Sequence, residues 1–350
     1  IQTSIKAQDN KPLRLGVAGT SHGHLWEVIS RVERGDFIVA GVFEKDTELL
    51  KTNGLTSKLP ADRFYSDLNK MLDDTKPEAV IAYGSIFDHL SVVEACAPRG
   101  IHVMVEKPLA VNNEHARQIA ELAKKHNIMV LTNYETTWYP TNHEAYKLIK
   151  ENNTIGDITR ISIFDGHQGP VEIGCGKEFL DWLTDPVLNG GGAVIDFGCY
   201  GANLATWLFE GEKPISVYAV LKTQKPDIYP KVDDDATIVL EYPKATVEIM
   251  ASWNWPMSRK DMHIYGSKGY IYQDTSTEMR IYNPSKNIAK IAPPLSYPYN
   301  DSFYFLKAAV RGEIDIKPHD LSALENNLIV VEILNAAIES SKTGKAVLLK

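Results

Sequence analysis

Ile101-His102-Val103-Met104-Val105-Glu106-Lys107-Pro108-Leu109 is the stretch that decides the fold. Its apolar run from Ile101 to Val105 reads as a strand buried in a parallel sheet, and it stops abruptly at a charged pair and a proline. Ligands of open α/β sheets lie outside the carboxyl ends of the strands, which puts Lys107 where a cofactor and a substrate would meet. Pro108 fixes the backbone after the lysine and turns Lys107 away from helical geometry. A solvated lysine in a strand-to-helix loop has the same local pattern, so the surroundings must decide.

Outward from this strand the chain alternates. Upstream, residues 13–18 form an apolar strand that runs into Gly19-Thr20-Ser21-His22-Gly23-His24. A helix over about 25–34 follows, with Leu25, Val28, Ile29 and Val32 at helical spacing. Further strands are expected at 37–43, ending at Glu44, and at 78–83, with a helix over 88–99. Downstream come a helix over 113–126 and a strand at 128–132. Strands and helices in turn, with short connections, predict a Rossmann-type doubly wound parallel sheet. Beyond Asn133 the rhythm changes. Strands are expected at 158–164, 215–221, 236–242, 246–252, 262–265, 270–273 and 279–282, several with period-two alternation. Helices are expected over 141–151, from about Ile195, over 302–311 and over 321–340, with a last short strand at 347–349. The reading is α/β: a dinucleotide-binding domain at 11–134, then an α+β domain at 135–350 with a large, mostly antiparallel open sheet.

The chain has 350 residues, 44% hydrophobic and 23% charged, with a net charge of −8. Those values suit a globular protein of two domains, and without a basic block they exclude nucleic acid and anionic membranes as expected partners. No stretch approaches the ~20 apolar residues of a membrane span. Three separated cysteines do not make a disulfide framework, and no metal is expected, because no cysteine or carboxylate stands near His22 and His24 at ligand spacing. Residues 1–7 resemble the tail of an export signal cleaved after Ala7 or a plain chain boundary, leaving cytoplasm and periplasm both open.

Three groups carry chemistry. A dinucleotide fingerprint needs glycines for a tight turn and for close approach of the backbone to a pyrophosphate. Gly16 and Gly19 lead into that turn, Ser21 holds the second glycine position, and Thr20, Ser21 and His22 offer donors to phosphate at a helix start. Glu44, 25 residues beyond Gly19, stands where an acid accepts from the ribose hydroxyls, which favours NAD over NADP; Lys45 beside it works the other way. Gly190-Gly191-Gly192-Ala193-Val194-Ile195-Asp196-Phe197-Gly198-Cys199-Tyr200 permits a sharp turn, then puts Asp196 and Tyr200 on one helical face with Asn203 adjacent. Such a polar stripe serves either substrate recognition or an internal hydrogen-bond network.

Together these segments resemble the glucose–fructose oxidoreductase / inositol dehydrogenase (Gfo/Idh/MocA) family over essentially the whole length. The resemblance rests on Gly19, Glu44, His89, Glu106-Lys107-Pro108, the Gly-Gly-Gly-Ala-x-x-Asp-x-Gly-x-Tyr segment and Tyr265-Gly266-Ser267-Lys268-Gly269. It implies that Lys107 is catalytic or orients substrate, that Asp196 binds a substrate hydroxyl, and that Tyr200 donates or accepts the proton. It also implies that His89 lines the nicotinamide side and that Ser85 and Glu106 are further cofactor contacts. Ser21 in place of a glycine, Ser85-Ile86 in place of Pro-Asn, and Thr136-Thr137 where an Arg is common depart from the family pattern.

The activity implied is hydride transfer between a nicotinamide cofactor, NAD or NADP, and a sugar, polyol or related hydroxyl-rich molecule. Substrate contacts are expected from Lys107, Asp196, Tyr200, Asn203 and His167, with Trp182, Trp253 and Trp255 as flat apolar platforms. Tyrosine and lysine have ordinary pKa values of ~10 and ~10.4, so mutual proximity is expected to lower one of them for base catalysis. The alternatives are a lyase or glycosidase that recycles bound NAD and a sensor that binds without catalysis. The face of the second sheet bearing Thr237 and Val239 lacks an expected helical cover, which suggests a homo-oligomer, dimer or tetramer, formed through that sheet.

Overall fold

The computed structural model describes residues 11–349; the expected leader remnant at 1–10 lies outside the described residues. The first unit runs β1 (Arg14–Ala18), α1 (Trp26–Arg34), β2 (Ile38–Phe43), α2 (Thr47–Thr52), β3 (Phe64–Tyr65), α3 (Leu68–Thr75), β4 (Ala79–Ala82), α4 (His89–Cys96), β5 (His102–Glu106), α5 (Asn113–His126) and β6 (Val130–Asn133). Its six strands are all parallel, in the order β3-β2-β1-β4-β5-β6. The doubly wound sheet is therefore present. The chain leaves β1 and β4 in opposite directions, and a crevice opens between their carboxyl ends.

The helices α2 and α3 were not anticipated. Both are short, yet each begins with an aspartate whose carboxylate accepts from the first turn, Asp46 from Glu48 N and Leu49 N, and Asp67 from Lys70 N.

The second unit runs α6 (Pro140–Tyr146), which continues as a π-helical turn at Lys147–Glu151, then β7 (Ile158–Gly166), α7 (Lys177–Leu183), α8 (Ala193–Asp196) and α9 (Gly198–Leu208). There follow β8 (Ser216–Lys222), β9 (Asp235–Glu241), β10 (Thr246–Ser252), β11 (Arg259–Gly266), β12 (Gly269–Gln273), β13 (Glu278–Asn283) and β14 (Lys286–Ile291). The chain closes with α10 (Ser302–Val310), α11 (Leu324–Thr343) and β15 (Val347–Leu348). The nine strands are ordered β14-β13-β12-β11-β7-β10-β9-β8-β15, antiparallel except between β7 and β10. Ile238, Leu240, Val247 and Ile249 point into the core beneath α9, which is buried along its whole length. A helix apolar on every side has no face to give to water. Gly201 lets α9 lie directly on the sheet, since a Cβ there would sit 2.6 Å from Ile249 Cγ2.

The last two helices return to the first unit. Phe303, Phe305, Leu306 and Ala309 of α10 pack with Leu13, Leu15 and Leu131, and Val331 of α11 packs in the cluster around Val103. The division expected at residue 134 therefore does not separate two self-contained cores. Arg31 of α1 fixes this return. Its guanidinium pairs with Asp36 at 2.8 Å and with Asp301, the cap of α10, and lies over the rings of Phe37, Phe303 and Tyr304 at 5.4, 4.7 and 5.1 Å.

Arg31→Ala is expected to lower the stability measured by chemical denaturation by about 2–3 kcal/mol. Breaking a fully buried pair costs ~3–5 kcal/mol, and here the carboxylates keep 23% and 19% of their side-chain surface in solvent, which softens the loss.

Candidate active site

The strand β5 ends at Glu106 and delivers Lys107 across the junction between the two units. Its ammonium donates to Asp196 Oδ1 at 2.5 Å and to the Asp196 carbonyl at 2.7 Å, with both side chains buried. Trp253 Nε1 donates to the other carboxylate oxygen at 2.9 Å. Asp196 is held in turn by the triple-glycine turn. Gly192 packs so tightly that a Cβ would lie 1.8 Å from the Asp233 carbonyl, and the Asp233 carboxylate accepts from Gly192 N and Val194 N at 2.8 and 2.7 Å. Burial alone would lower the Lys107 pKa and raise that of Asp196. Their mutual attraction wins, so the ammonium is held above its ordinary value and the carboxylate below.

Tyr200 is close by, its ring centre 5.0 Å from Lys107 Nζ, but the single helical face expected for Asp196 and Tyr200 is broken. Helix α8 ends at Asp196, and Phe197 intervenes before α9. The expected mutual lowering of pKa is overturned too. Burial, followed by the charge of Glu135, pushes the Tyr200 phenol well above its usual value, while Asp196 raises Lys107.

A cleft of about 420 Å³ opens at the carboxyl ends of β1, β2 and β4, lined by Gly19, Ser21, Glu44, Lys45, Gly84 and Asp88 among others. Gly19 has φ +81°, and a Cβ on it would meet Gly84 N at 2.6 Å, so only glycine passes here. Glu44 is clamped: Oε2 accepts from Thr20 N and Oγ1 at 2.8 and 2.9 Å, and Oε1 from Asp46 N at 3.0 Å. Thr20 is thus a buried tether of Glu44 and not a lining residue. Gly16 is also displaced from its expected role; it sits within β1 against Met71 and Val80. Ser85 donates to Asp88 Oδ2 at 2.6 Å and fixes a lining residue from behind.

The remaining cofactor-side residues form a buried network. His24 Nδ1 donates to Glu106 Oε2 at 3.1 Å, Asn133 Nδ2 donates to Oε1 at 2.9 Å, and His22 Nε2 lies 3.9 Å from the same carboxylate. Glu106 is therefore the carboxylate that sequence spacing did not place beside His22 and His24. The His22 Nδ1 lone pair accepts from His24 N at 3.1 Å, so its Nε2 carries the hydrogen and has no lone pair for a cation. Burial lowers the His22 pKa to about 3, whereas the two imidazoles bring Glu106 down to about 2 against the effect of burial. His89 lies fully inside, Nδ1 donating to the Leu109 carbonyl at 3.1 Å and Nε2 without a partner; burial lowers it to about 4.

A second cleft, about 500 Å³, is lined by His167, Phe197, Glu135, Tyr139, Arg259 and Lys260 among others. His167, expected as a substrate contact, lines this cleft, its ring 4.9 Å from Phe197. Asn203 does not. It is fully buried, donating to the Leu321 carbonyl at 2.8 Å, because α9 turns this position towards α11. The tryptophans are not platforms either: Trp253 is completely buried on Asp196, Trp182 is stacked on His22 at 5.7 Å, and Trp255 lies under Arg259. Sequence reasoning missed Lys260 and Glu135. The triplet Arg259-Lys260-Asp261 begins β11 just after a tryptophan-rich loop, and only the pairing of Lys260 with Asp165 of β7 brings it to the site.

Residues 13–134 match the oxidoreductase family with an NAD-binding Rossmann fold, and residues 143–272 match the GFO/IDH/MocA C-terminal domain. The chain belongs to the Gfo/Idh/MocA oxidoreductase family. Among its relatives is the trans-1,2-dihydrobenzene-1,2-diol dehydrogenase of Xenopus laevis, 25% identical over 89% of this chain and 92% of that protein. The myo-inositol 2-dehydrogenase of Thermotoga maritima is 25% identical over 76% and 75%. The aldose-aldose oxidoreductase of Caulobacter crescentus, solved with glycerol, shares the fold with a TM-score of 0.82, 22% identity and coverage of 97% and 100%. The protein is accordingly an NAD-binding dehydrogenase. The side-chain-free approach at Gly19 and the clamped Glu44 fit the nucleotide half of that cofactor. No helix among the described residues is long and apolar enough to cross a membrane.

Glu44→Ala is expected to weaken NAD binding about 10- to 100-fold by calorimetry, since a hydrogen bond to a charged group contributes ~1.5–3 kcal/mol. NADP binding should change far less, because its 2′-phosphate gains nothing from a carboxylate.

Proposed function

We propose that the protein interconverts a CH–OH carbon and the corresponding carbonyl of a sugar, polyol or related hydroxyl-rich small molecule. The observation that carries this reading is the buried Lys107–Asp196 pair at the carboxyl end of β5, with Lys107 5.7 Å from the ring of Phe197, a residue that lines the second cleft. NAD, held by Gly19, Ser21 and Glu44, would supply the hydride acceptor or donor. An ammonium has three N–H donors, and Asp196 takes two, which leaves one for a substrate oxygen. Lys107 therefore stabilises charge developing on that oxygen and holds the proton that a carbonyl needs on reduction. Asp196 and Trp253 fix the direction of the ammonium. Tyr200, whose hydroxyl stays protonated, serves as a neutral hydrogen-bond donor beside it.

The sign of the pH dependence follows. Oxidation needs Lys107 as free amine, and its pKa is raised, so kcat/KM for oxidation should climb with pH into the alkaline range. Reduction uses the ammonium and should stay level through neutrality, then fall in that same range. Asp196→Asn removes the raising charge and should move both limbs to lower pH while reducing the rate. Lys107→Ala should lose about 10²–10⁴ in kcat/KM in a nicotinamide absorbance assay over sugars and polyols. Undiminished turnover in that variant would refute the assignment.

Copies of the chain are proposed to associate through the open face of the second sheet. His263, Tyr272, Tyr270 and Tyr282 stack across β11, β12 and β13 on that face with centroid separations of 4.1, 4.3 and 5.3 Å, and Tyr282 keeps 42% of its surface in solvent. Tyr270→Glu would place a charge in a like-residue contact and is expected to reduce the oligomer to a smaller species in sedimentation.

A further inference from the structure

The second cleft says more about the substrate than the reading above, on which this inference rests. Lys260 is 5.1 Å from the Tyr200 ring centre and 6.0 Å from that of Phe197, while Lys107 is 5.0 and 5.7 Å from the same two rings. The two ammonium groups therefore flank one aromatic pair and lie within about 10 Å of each other. A substrate whose reacting oxygen meets Lys107 presents its neighbouring groups to Lys260.

What Lys260 offers depends on its partners. Its ammonium is paired with Glu135 Oε2, and the other Glu135 oxygen accepts from Tyr139 Oη at 2.5 Å. Burial works against the Glu135 carboxylate, but Lys260 and Tyr139 hold its pKa below the ordinary value. Arg259 forks onto Asp261 with two bonds of 2.7 Å, and Asp274 is bound by Arg280. His167 has its pKa lowered by burial, and Asp165, opposite Lys260 on β7, is pushed well above the carboxylate range by its own burial. Among the described residues lining the cleft, each cation is thus matched by one carboxylate.

A matched ammonium–carboxylate pair gives a hydroxyl what it needs, a donor and an acceptor side by side. A substrate carboxylate finds no unmatched cation there and meets Glu135 directly. We infer that the Glu135–Lys260 pair is a specificity element that admits a neutral, hydroxyl-bearing substrate arm and rejects an anionic one. Its removal at one end predicts a swap: Glu135→Gln frees Lys260 and converts the same cleft into a carboxylate site. Glu135 keeps 46% of its side-chain surface in solvent, so an amide of the same shape leaves the apolar core untouched.

The test is a calorimetric titration of NAD-loaded wild type, Glu135→Gln and Lys260→Met with matched pairs of neutral aldoses and their uronates. Binding is read directly, so the result does not depend on turnover. Wild type should bind the neutral member of at least one pair 10-fold or more tighter than its uronate. Glu135→Gln should shift that ratio at least 10-fold towards the uronate, through tighter uronate binding, and Lys260→Met should weaken both. A ratio unchanged in Glu135→Gln, a wild type that prefers the uronate, or no aldose bound at all would each overturn the inference. The dehydrogenase reading would survive any of these if diols or polyols outside the panel still reduced NAD in a Lys107-dependent way.

Discussion

A buried ammonium facing a buried carboxylate is the constraint around which this molecule is built. Separated, each of these groups would be expensive to keep from water; together, and with Trp253 on the second oxygen, they are mutually satisfied. The pair joins the end of β5 in one unit to the end of α8 in the other. It can form only if the glycine turn at 190–192 brings Asp196 to the junction, and that turn is pinned by Asp233. Placement of a reactive lysine and the docking of two units are thus one structural event.

The frame that holds this junction is not confined to it. Helices α10 and α11 carry the chain back, one onto the strands of the Rossmann sheet and the other against α5. Arg31, bound to Asp36 and to the cap of α10, ties the return to α1, the helix that follows the cofactor turn. Segments about 270 residues apart in sequence are thereby held together.

Much of this was legible in the sequence, and the limits have physical reasons. Strands such as Thr246–Ser252 were readable because one face is buried and the other is not, which writes a period of two into the residues. Lys107, Asp196, Gly19 and Glu44 were readable because backbone geometry and strand ends dictate their types. Asn203 looked the same as its neighbours because a fully buried helix has no polar face to mark which side meets the substrate. Lys260 and Glu135 were not visible at all. Their partnership is made between the turn after β6 and the start of β11, 125 residues apart, and no local pattern encodes it.

The turn after β1 shows how a departure from pattern is absorbed. In the usual fingerprint a helix amino terminus presents free N–H groups to the pyrophosphate. Here the His22 ring takes the His24 N–H, and the imidazoles of both histidines turn inward to Glu106. The turn is thereby fastened to the strand that ends in Lys107, through a carboxylate one residue before it. One N–H of the helix end is satisfied internally, in return for a rigid link between this turn and the strand that leads to Lys107. Glu44, just past the end of the adjoining strand, is likewise fixed within the protein, both of its oxygens being oriented by Thr20 and Asp46.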